Sequence, residues 1–548
     1  MVRDHKYNGV TAAEVCIESV IPNRRHGAGL TMARLQIAGV KSTLENRLLP
    51  KLRSLESTLQ PIARLPNDIF ILIPRFFTNE VGEHDRFPMN KPLVSMTHVC
   101  RSWRDTLLST PSLWTNVDFS SSKYKQAEAF LGRSGEQLLD ICQFFSSEEH
   151  AEHFLSTTLQ NIYRLRRLDI GSCIPFLEYA LTRFAISAPE LEYLEIMNDA
   201  NMTERDLKLP NNIFQGRLPN LTNLSLHYIR TDLRGFDFPS LTRFSFTTGT
   251  KTSVRNLTSF FERCPSLEFI QLCLSYPPQL PTAPPPKRVR LAALRELRLD
   301  QTACASNLLD HLILPNCTEM MLKGQFMGRE FDNNGDPAAR IHPSSIDHLP
   351  VTRGITKATA MPNSCILSGP NGSLRFWCFW GNREDFDAEF FTSFAPISVS
   401  GIRELWVGST TESHFGRKPW GQTPARVRGA FEALTKVEDL IIVSCEAEPF
   451  FAALDAATGD PILLPNLWRL TVYVGCGDLD VPALTQCAKA RKERSRQLGE
   501  VTIVFENEPV AGAMRELELL KEFVGVLSHR VGVTPVMRQW ETEEREMW

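Results

Sequence analysis

A short apolar unit, LxxLxL, recurs along most of this 548-residue chain and restricts its folding more than any other feature. Its last two apolar positions alternate with polar ones, as in a strand that buries one face. Copies stand at Leu165/Leu168/Ile170, Leu191/Leu194/Ile196, Leu221/Leu224/Leu226, Leu241/Phe244/Phe246, Leu267/Ile270/Leu272 and Leu294/Leu297/Leu299. A degraded copy follows at Cys317/Met320/Leu322, then Leu374/Trp377/Phe379, Ile402/Leu405/Val407, Val437/Leu440/Ile442, Leu467/Leu470/Val472 and Leu498/Val501/Ile503. Three apolar residues at fixed offsets arise by accident at about 8% of positions in a chain of this hydrophobicity, so the unit alone decides little. A prefix decides more. Six copies carry proline two residues before the first apolar position, at Pro189, Pro219, Pro239, Pro265, Pro315 and Pro465, each followed by Glu, Asn or Ser. Chance supplies roughly three such prolines, and under about one once the following residue is fixed.

Up to Leu322 the last positions of successive copies are 26, 30, 20, 26, 27 and 23 residues apart. That spacing lies near the period of leucine-rich repeats, about 20–29 residues. One such unit cannot bury its apolar edge alone, so neighbouring strands must stack into a parallel sheet with a continuous inward row. The expected fold class is therefore α/β, an irregular leucine-rich-repeat solenoid over residues 135–506. Beyond Leu322 the array lapses for 57 residues, with Ile346/Leu349/Val351 as a doubtful copy interrupted by Pro350. SYPPQLPTAPPPKR, residues 275–288, reads as a surface loop. The outward residues of the strands would line a concave face. Tyr193, Phe269, Trp406 and Tyr473 are large members of that set and are candidates for binding a protein client.

The front of the chain is built differently. Within residues 1–60, Ile37, Val40, Leu44, Leu48, Leu52, Leu55 and Leu59 fall at steps of three and four, which predicts an amphipathic helix kinked by Pro50. Residues 61–119 are helical in pattern, with the loop-like TNEVGEHDRFPMNKP dividing two apolar segments. Leu65 and Pro66 set an extended start, Asp68 suits the first turn of a helix, and Ile69 and Ile73 are one turn apart. Val99, Trp103 and Leu107 recur at steps of four and form a second stripe that can close a core with the first. Pro74 is expected to end the first helix near Ile73. Residues 507–548 read as a C-terminal helix and charged tail.

The motifs RLPNDIF and THVCRSWRDTLLSTPSLWTNVDF resemble an F-box. Leu65, Pro66, Asp68 and Ile69 match its opening, Val99, Cys100, Arg101, Trp103 and Arg104 its VCRxWR stretch, and Leu113 and Trp114 its LW ending. Asp68 stands where the family usually has glutamate. The order of helix, F-box and repeats is similar to that of F-box proteins with leucine-rich repeats. The resemblance implies a three-helix unit that binds a Skp-type adaptor, and through it a cullin, by way of Leu65, Pro66, Ile69, Ile73, Val99, Cys100 and Trp103. It also implies a repeat domain that holds a protein destined for ubiquitin transfer. A rival reading is a non-ligase scaffold with a degenerate F-box.

Charge and composition narrow the partners. A net charge of -3 gives no field that would gather nucleic acid or an anionic membrane. Thirteen cysteines without a CxxC pair read as thiols of a reducing compartment, cytoplasmic or nuclear. The longest apolar run, IFILIPRFF, is too short to span a bilayer. No phosphate loop, dinucleotide fingerprint, HExxH or nucleophile elbow is present, so no catalytic residue, cofactor or metal ligand is expected. His150 and His153 read as part of a solvated turn, and Arg491 to Arg496 as a solvated helix face. A hydrolase built on Cys365, His342 and Asp347 is a remote third reading.

Overall fold

The computed structural model describes residues 27–49, 65–79, 90–119, 124–145, 147–198, 207–231, 233–249, 252–274, 288–300, 308–325, 349–361, 364–379, 399–408, 424–432, 434–443, 447–455, 462–474, 479–506, 508–509 and 511–532. The described residues up to Leu113 form one compact unit and those from Trp114 onward a second.

The first unit contains the helices α1 (Gly27–Thr43), α2 (Asn67–Asn79), α3 (Asn90–Met96) and α4 (Arg101–Leu108). Helix α1 starts well ahead of the expected Ile37 and passes into a π-helical turn at Leu44–Leu48. Pro50 and the rest of the anticipated helix lie outside the described residues. In α2 the carbonyl of Pro66 accepts from the backbone N–H groups of Ile69 (3.1 Å) and Phe70 (2.9 Å). The helix then continues through Pro74 to Asn79, which corrects the expected stop near Ile73. Pro74 is buried one turn beyond the buried Phe70, so its ring adds to the apolar face and offsets the missing backbone donor. The core of this unit is Phe70, Leu93, Leu107 and Leu113, with Trp103 packed on Phe70 at 4.8 Å between ring centroids. The buried stripe of α2 thus centres on Phe70, packed on Trp103, rather than on Ile69 and Ile73.

In the second unit the LxxLxL pattern becomes a seventeen-stranded sheet. Its strands are β1 (Asn116–Asp118), β2 (Leu139–Phe145), β3 (Leu165–Ser172), β4 (Tyr193–Asn198), β5 (Asn223–His227), β6 (Arg243–Thr248), β7 (Phe269–Leu274), β8 (Glu296–Asp300) and β9 (Glu319–Gln325). The remainder are β10 (Lys357–Met361), β11 (Ser364–Gly369), β12 (Gly372–Phe379), β13 (Glu404–Gly408), β14 (Asp439–Val443), β15 (Arg469–Val474), β16 (Glu500–Phe505) and β17 (Val526–Val531). Neighbours follow chain order from β1 to β9 and from β13 to β17, all parallel. Between these runs the chain crosses over to β10, which pairs with β13, and returns through the antiparallel β11 to β12, which pairs with β9. The lapse in the repeat pattern is therefore a folded-back insert within the sheet. The sheet begins before residue 135 and ends after residue 506.

Two of the sequence assignments shift. In the copy placed at Leu374/Trp377/Phe379, the residues aligned with the inward Met320 and Leu322 are Leu374 and Phe376, both buried. Of the doubtful copy at Ile346/Leu349/Val351, Ile346 lies outside the described residues and Val351 stands in a short turn at Pro350–Thr352, while the strand that follows sets Ala358 and Ala360 inward behind Ile355. Both errors arise because alternating apolar runs admit more than one register.

Parallel strands need crossovers, and helices supply many of them. These are α5 (Tyr124–Ser134), α6 (Glu148–Gln160), α7 (Ile174–Arg183), α8 (Val254–Arg263), α9 (Pro424–Phe431), α10 (Glu448–Leu454), α11 (Val481–Glu493) and α12 (Ala511–Leu520). SSEEHAEH is not a free turn: Ser147 caps α6 by accepting from the backbone N–H of His150 (3.3 Å), and Ala151, Phe154, Leu155 and Thr158 bury one face. Phe119, Phe154, Phe184 and Phe214 touch in sequence at centroid distances of 5.4, 6.3 and 5.4 Å, so the core is continuous from one unit of the sheet to the next.

The sequence prefix has a structural cause. In four of the six copies the residue after the prefix proline donates back along the sheet to a carbonyl of the preceding unit. Asn220 donates to Pro189 (2.9 Å), Ser240 to Pro219 (2.7 Å), Asn316 to Ala292 (2.7 Å) and Asn466 to Thr435 (3.0 Å). Asn371, which follows Pro370, makes the same kind of bond to Arg353 (3.1 Å). Arg491 corrects the solvated-face reading: it is fully buried and donates to the carbonyls of Leu463 and Leu464, both at 2.9 Å.

Candidate binding surfaces

The first surface lies on the helical unit. Phe70 and Pro74 take the buried side of α2, so helical geometry turns Ile69 and Leu72 outward. Ile69 is 47% exposed and Leu72 52%, beside an exposed Leu65 and Pro66 at the helix start. Val99, just before α4, is 60% exposed. Ile73, Cys100 and Trp103 are half-buried. Cys100 caps α4 by accepting from the backbone N–H of Trp103 (3.5 Å), and Arg104 donates to the Thr97 carbonyl (2.9 Å). Of the seven candidates, then, four present open apolar surface, while Cys100 and Trp103 are largely engaged within the unit. Leu72 was not anticipated, although its step of three from Ile69 in the sequence marks it. Exposed aliphatic side chains on a small helical unit can bury area against a partner.

The second surface is the side of the sheet opposite the inward leucines. The register sets outward residues in rows. One row runs Arg167, Tyr193, Asn223, Arg243, Phe269 and Glu296 across β3 to β8. Arg167 stacks on Tyr193 at 3.8 Å, Arg243 on Phe269 at 4.2 Å, and Arg298 on Phe269 at 5.2 Å. The ring of Phe269 is thereby almost sealed, at 5% exposure, and Tyr193 is half-buried. The hydroxyl of Tyr193 donates to Glu195 (2.5 Å); burial and that carboxylate push its pKa up. His227 lies between Ser225 (2.8 Å from Nε2), Thr247 (3.3 Å from Nδ1) and Glu195 (3.7 Å from Nε2).

The other two aromatic candidates stand together elsewhere. Trp406 and Tyr473 stack at 6.4 Å and join Ile441, Val443 and Val504 in an apolar cluster on the outward side of β13 to β16. Tyr473 is only 8% exposed and Trp406 is half-buried. Beside the cluster runs an ion ladder in which Arg469 meets Asp439 (3.1 Å) and Glu500 (3.0 Å), and Lys357 meets Glu404 (2.9 Å). Burial raises the Glu404 carboxyl, but hydrogen bonds from Trp406 and Lys357 outweigh it and hold the group below the usual range. Asp439 goes the other way: burial lifts it above the usual range against the pull of Arg469. The four aromatic candidates therefore fall into two settings, Tyr193 with Phe269 in one row and Trp406 with Tyr473 in one cluster, and none is an open hydrophobic anchor. The arginines that cover two of them were missed by the sequence reading, although they occupy the same column of the repeat as Tyr193 and Phe269.

Cys365 lies on β11 with no exposure, and burial raises its thiol well above the ordinary value, so it is no accessible nucleophile. His342 and Asp347 lie outside the described residues. Among the described residues no cluster of three His, Cys, Asp or Glu side chains is placed to hold a metal, and no helix is long and apolar enough to cross a membrane.

No family model matches the chain. The chain is 27% identical over 144 residues to "Putative F-box/LRR-repeat protein 9" of Arabidopsis thaliana. That stretch is 25% of this chain and 56% of the Arabidopsis protein, so the match spans about half the length of the relative. The similarity goes as far as an F-box/LRR type of protein, in a chain whose fold is mixed α/β with a large, mostly parallel sheet.

Proposed function

We propose that the chain is the client-recognition adaptor of a Skp-cullin-F-box ubiquitin ligase. In this reading the helical unit binds a Skp-type adaptor, the sheet unit is a leucine-rich-repeat solenoid that holds a protein client, and catalysis belongs to the recruited enzymes. Tethering the client near those enzymes raises its effective concentration without an acid or base from this chain. The observation that carries the reading is the exposure of Leu65, Ile69, Leu72 and Val99 on a unit whose own core is already closed by Phe70, Leu93 and Leu107. Isolated surface aliphatic residues are ordinary, but four on so small a unit are apolar area suited to a partner.

The test is co-purification of a Skp-type adaptor and cullin with the intact chain, repeated with Leu65→Asp and Ile69→Asp together. Capture that disappears in the double variant while its thermal transition stays in place supports the reading. Absence of both partners from the wild-type preparation rejects it in favour of a scaffold without a ligase.

A further inference from the structure

We propose that α1 is a docking helix for a second protein, and that the partner segment is an acidic amphipathic helix. The inference goes beyond the adaptor reading and concerns a surface which that reading does not use. From Leu35 to Leu49 every residue is exposed except Ile37, which is half-buried. Val40, Leu44 and Leu48 are between 42% and 55% exposed. Ile37, Val40 and Leu44 stand at steps of three and four, which sets them along one side of a helix as at the a and d positions of a heptad. The next d position would fall on Arg47. Instead the helix widens into the π turn Leu44–Leu48, where the Leu49 N–H donates to the carbonyl of Leu44, five residues back. The extra residue in that turn brings Leu48 into the place of Arg47, so the stripe runs unbroken from Ile37 to Leu48, about 18 Å. A second helix is the element that fits an aliphatic stripe of this spacing, one turn after another.

Charge decides which helix. Helix α1 and its π turn carry Arg34, Lys41 and Arg47 against the single acid Glu45. Lys41 borders the stripe on one side and Arg47 on the other, the places that meet the flanks of the partner in a two-helix pair. Glu45 lies one turn after Lys41, on the outer edge of the same flank, and among the described residues no ion pair joins it to either base. A second copy of α1 would bring cation against cation along these flanks in either chain direction, whereas glutamates at the flanking positions of a partner pair with both. Each exposed pair of this kind contributes at most about 1 kcal/mol, so the charges select the partner while the aliphatic contacts supply most of the affinity. A basic amphipathic helix also suits an anionic bilayer, but such helices carry Trp or Phe among their apolar residues, and the stripe from Ile37 to Leu48 is aliphatic throughout.

The probe is a fluorescein-labelled synthetic helix of four heptads, with isoleucine at a, leucine at d and glutamate at e and g; its twin has lysine at e and g. Anisotropy is followed on the intact chain at low salt. We expect the glutamate helix to bind, the lysine helix not to bind, and salt to weaken the complex. Lys41→Glu with Arg47→Glu should lower affinity for the glutamate helix at least about tenfold and create binding of the lysine helix, which a misfolded variant would not do. Val40→Asp with Leu44→Asp should abolish binding, while Leu519→Asp, a like change at an exposed leucine of α12, should leave it unchanged. Equal binding of the two synthetic helices, or undiminished glutamate-helix binding by either double variant, overturns the proposal. Sedimentation of the unliganded chain as a dimer that Val40→Asp with Leu44→Asp dissolves also overturns it and gives the stripe to a second copy. Tighter binding to phosphatidylserine vesicles than to the glutamate helix overturns it in favour of a membrane.

Discussion

Arg491 shows how one residue can be fixed from far along the chain. Its guanidinium is fully buried and bonds two carbonyls at Leu463 and Leu464, the latter at φ 44°, a left-handed conformation that leucine seldom adopts. Burial lowers its pKa. Arg491→Met should remove the guanidinium donor from both carbonyls, of which Leu464 still accepts from the Leu467 N–H (3.0 Å), and cost about 3 kcal/mol, read as a lower urea midpoint at unchanged m-value. The sequence reading placed Arg491 on a solvated face because its charged neighbours do lie in water; nothing local reveals acceptors 27 and 28 residues away. Buried thiols give a second test. Burial pushes Cys264, Cys317 and Cys487 up to about 12 from an ordinary 9.0. Folded values above unfolded ones mean that this stabilisation is whole below pH 9 and is lost as pH rises toward 12. Urea midpoints should therefore fall between pH 9 and 11, and less steeply when the three cysteines are replaced by alanine; an identical slope in the replaced protein contradicts the account.

Within the strands and turns, the repeat unit was legible because burial on one face of a strand leaves a period of two. Leu168 and Ile170, Leu224 and Leu226, Val501 and Ile503 all point inward as their spacing requires. The Asn or Ser after the prefix proline was visible as a signal before its cause was known, and the structure supplies that cause in the bonds to the preceding unit. Because those bonds are exposed, Asn220→Ala and Asn466→Ala should each cost only about 0.5–1 kcal/mol by chemical denaturation. The insert β10 to β12 was not legible. Its inward residues include Ala358 and Ala360, too small to stand out, and the antiparallel return reverses the expected order of strands. Its junction depends on Gly372, which has φ 126° and whose Cβ, were one added, would strike the backbone of Thr318. Gly372→Ala should therefore cost at least about 3 kcal/mol, seen as a lowered thermal midpoint, with faster amide exchange in β9 and β12.

For the whole molecule, the decisive feature is the division between Leu113 and Trp114, which cuts the LW pair at the end of the F-box-like motif. Leu113 belongs to the helical core, whereas Trp114 packs on Phe130 at 4.7 Å in the sheet unit, with Arg133 over its ring at 4.6 Å. The sequence could show that both residues are apolar and adjacent, but not that they serve different cores. The sequence led to the expectation that Leu65, Pro66, Ile69 and Val99 stay uncovered, because a unit of that length has more apolar side chains than it can enclose, and the structure leaves all four exposed. In the proposed function, this surface is where a Skp-type adaptor binds. Amide hydrogen exchange of the intact chain, with and without purified adaptor, tests it most directly. Slowed exchange confined to residues 65–73 and 99–104, with the sheet unchanged, is the predicted result. Unaltered exchange in those segments at saturating adaptor, or slowing that appears in the sheet instead, would contradict it.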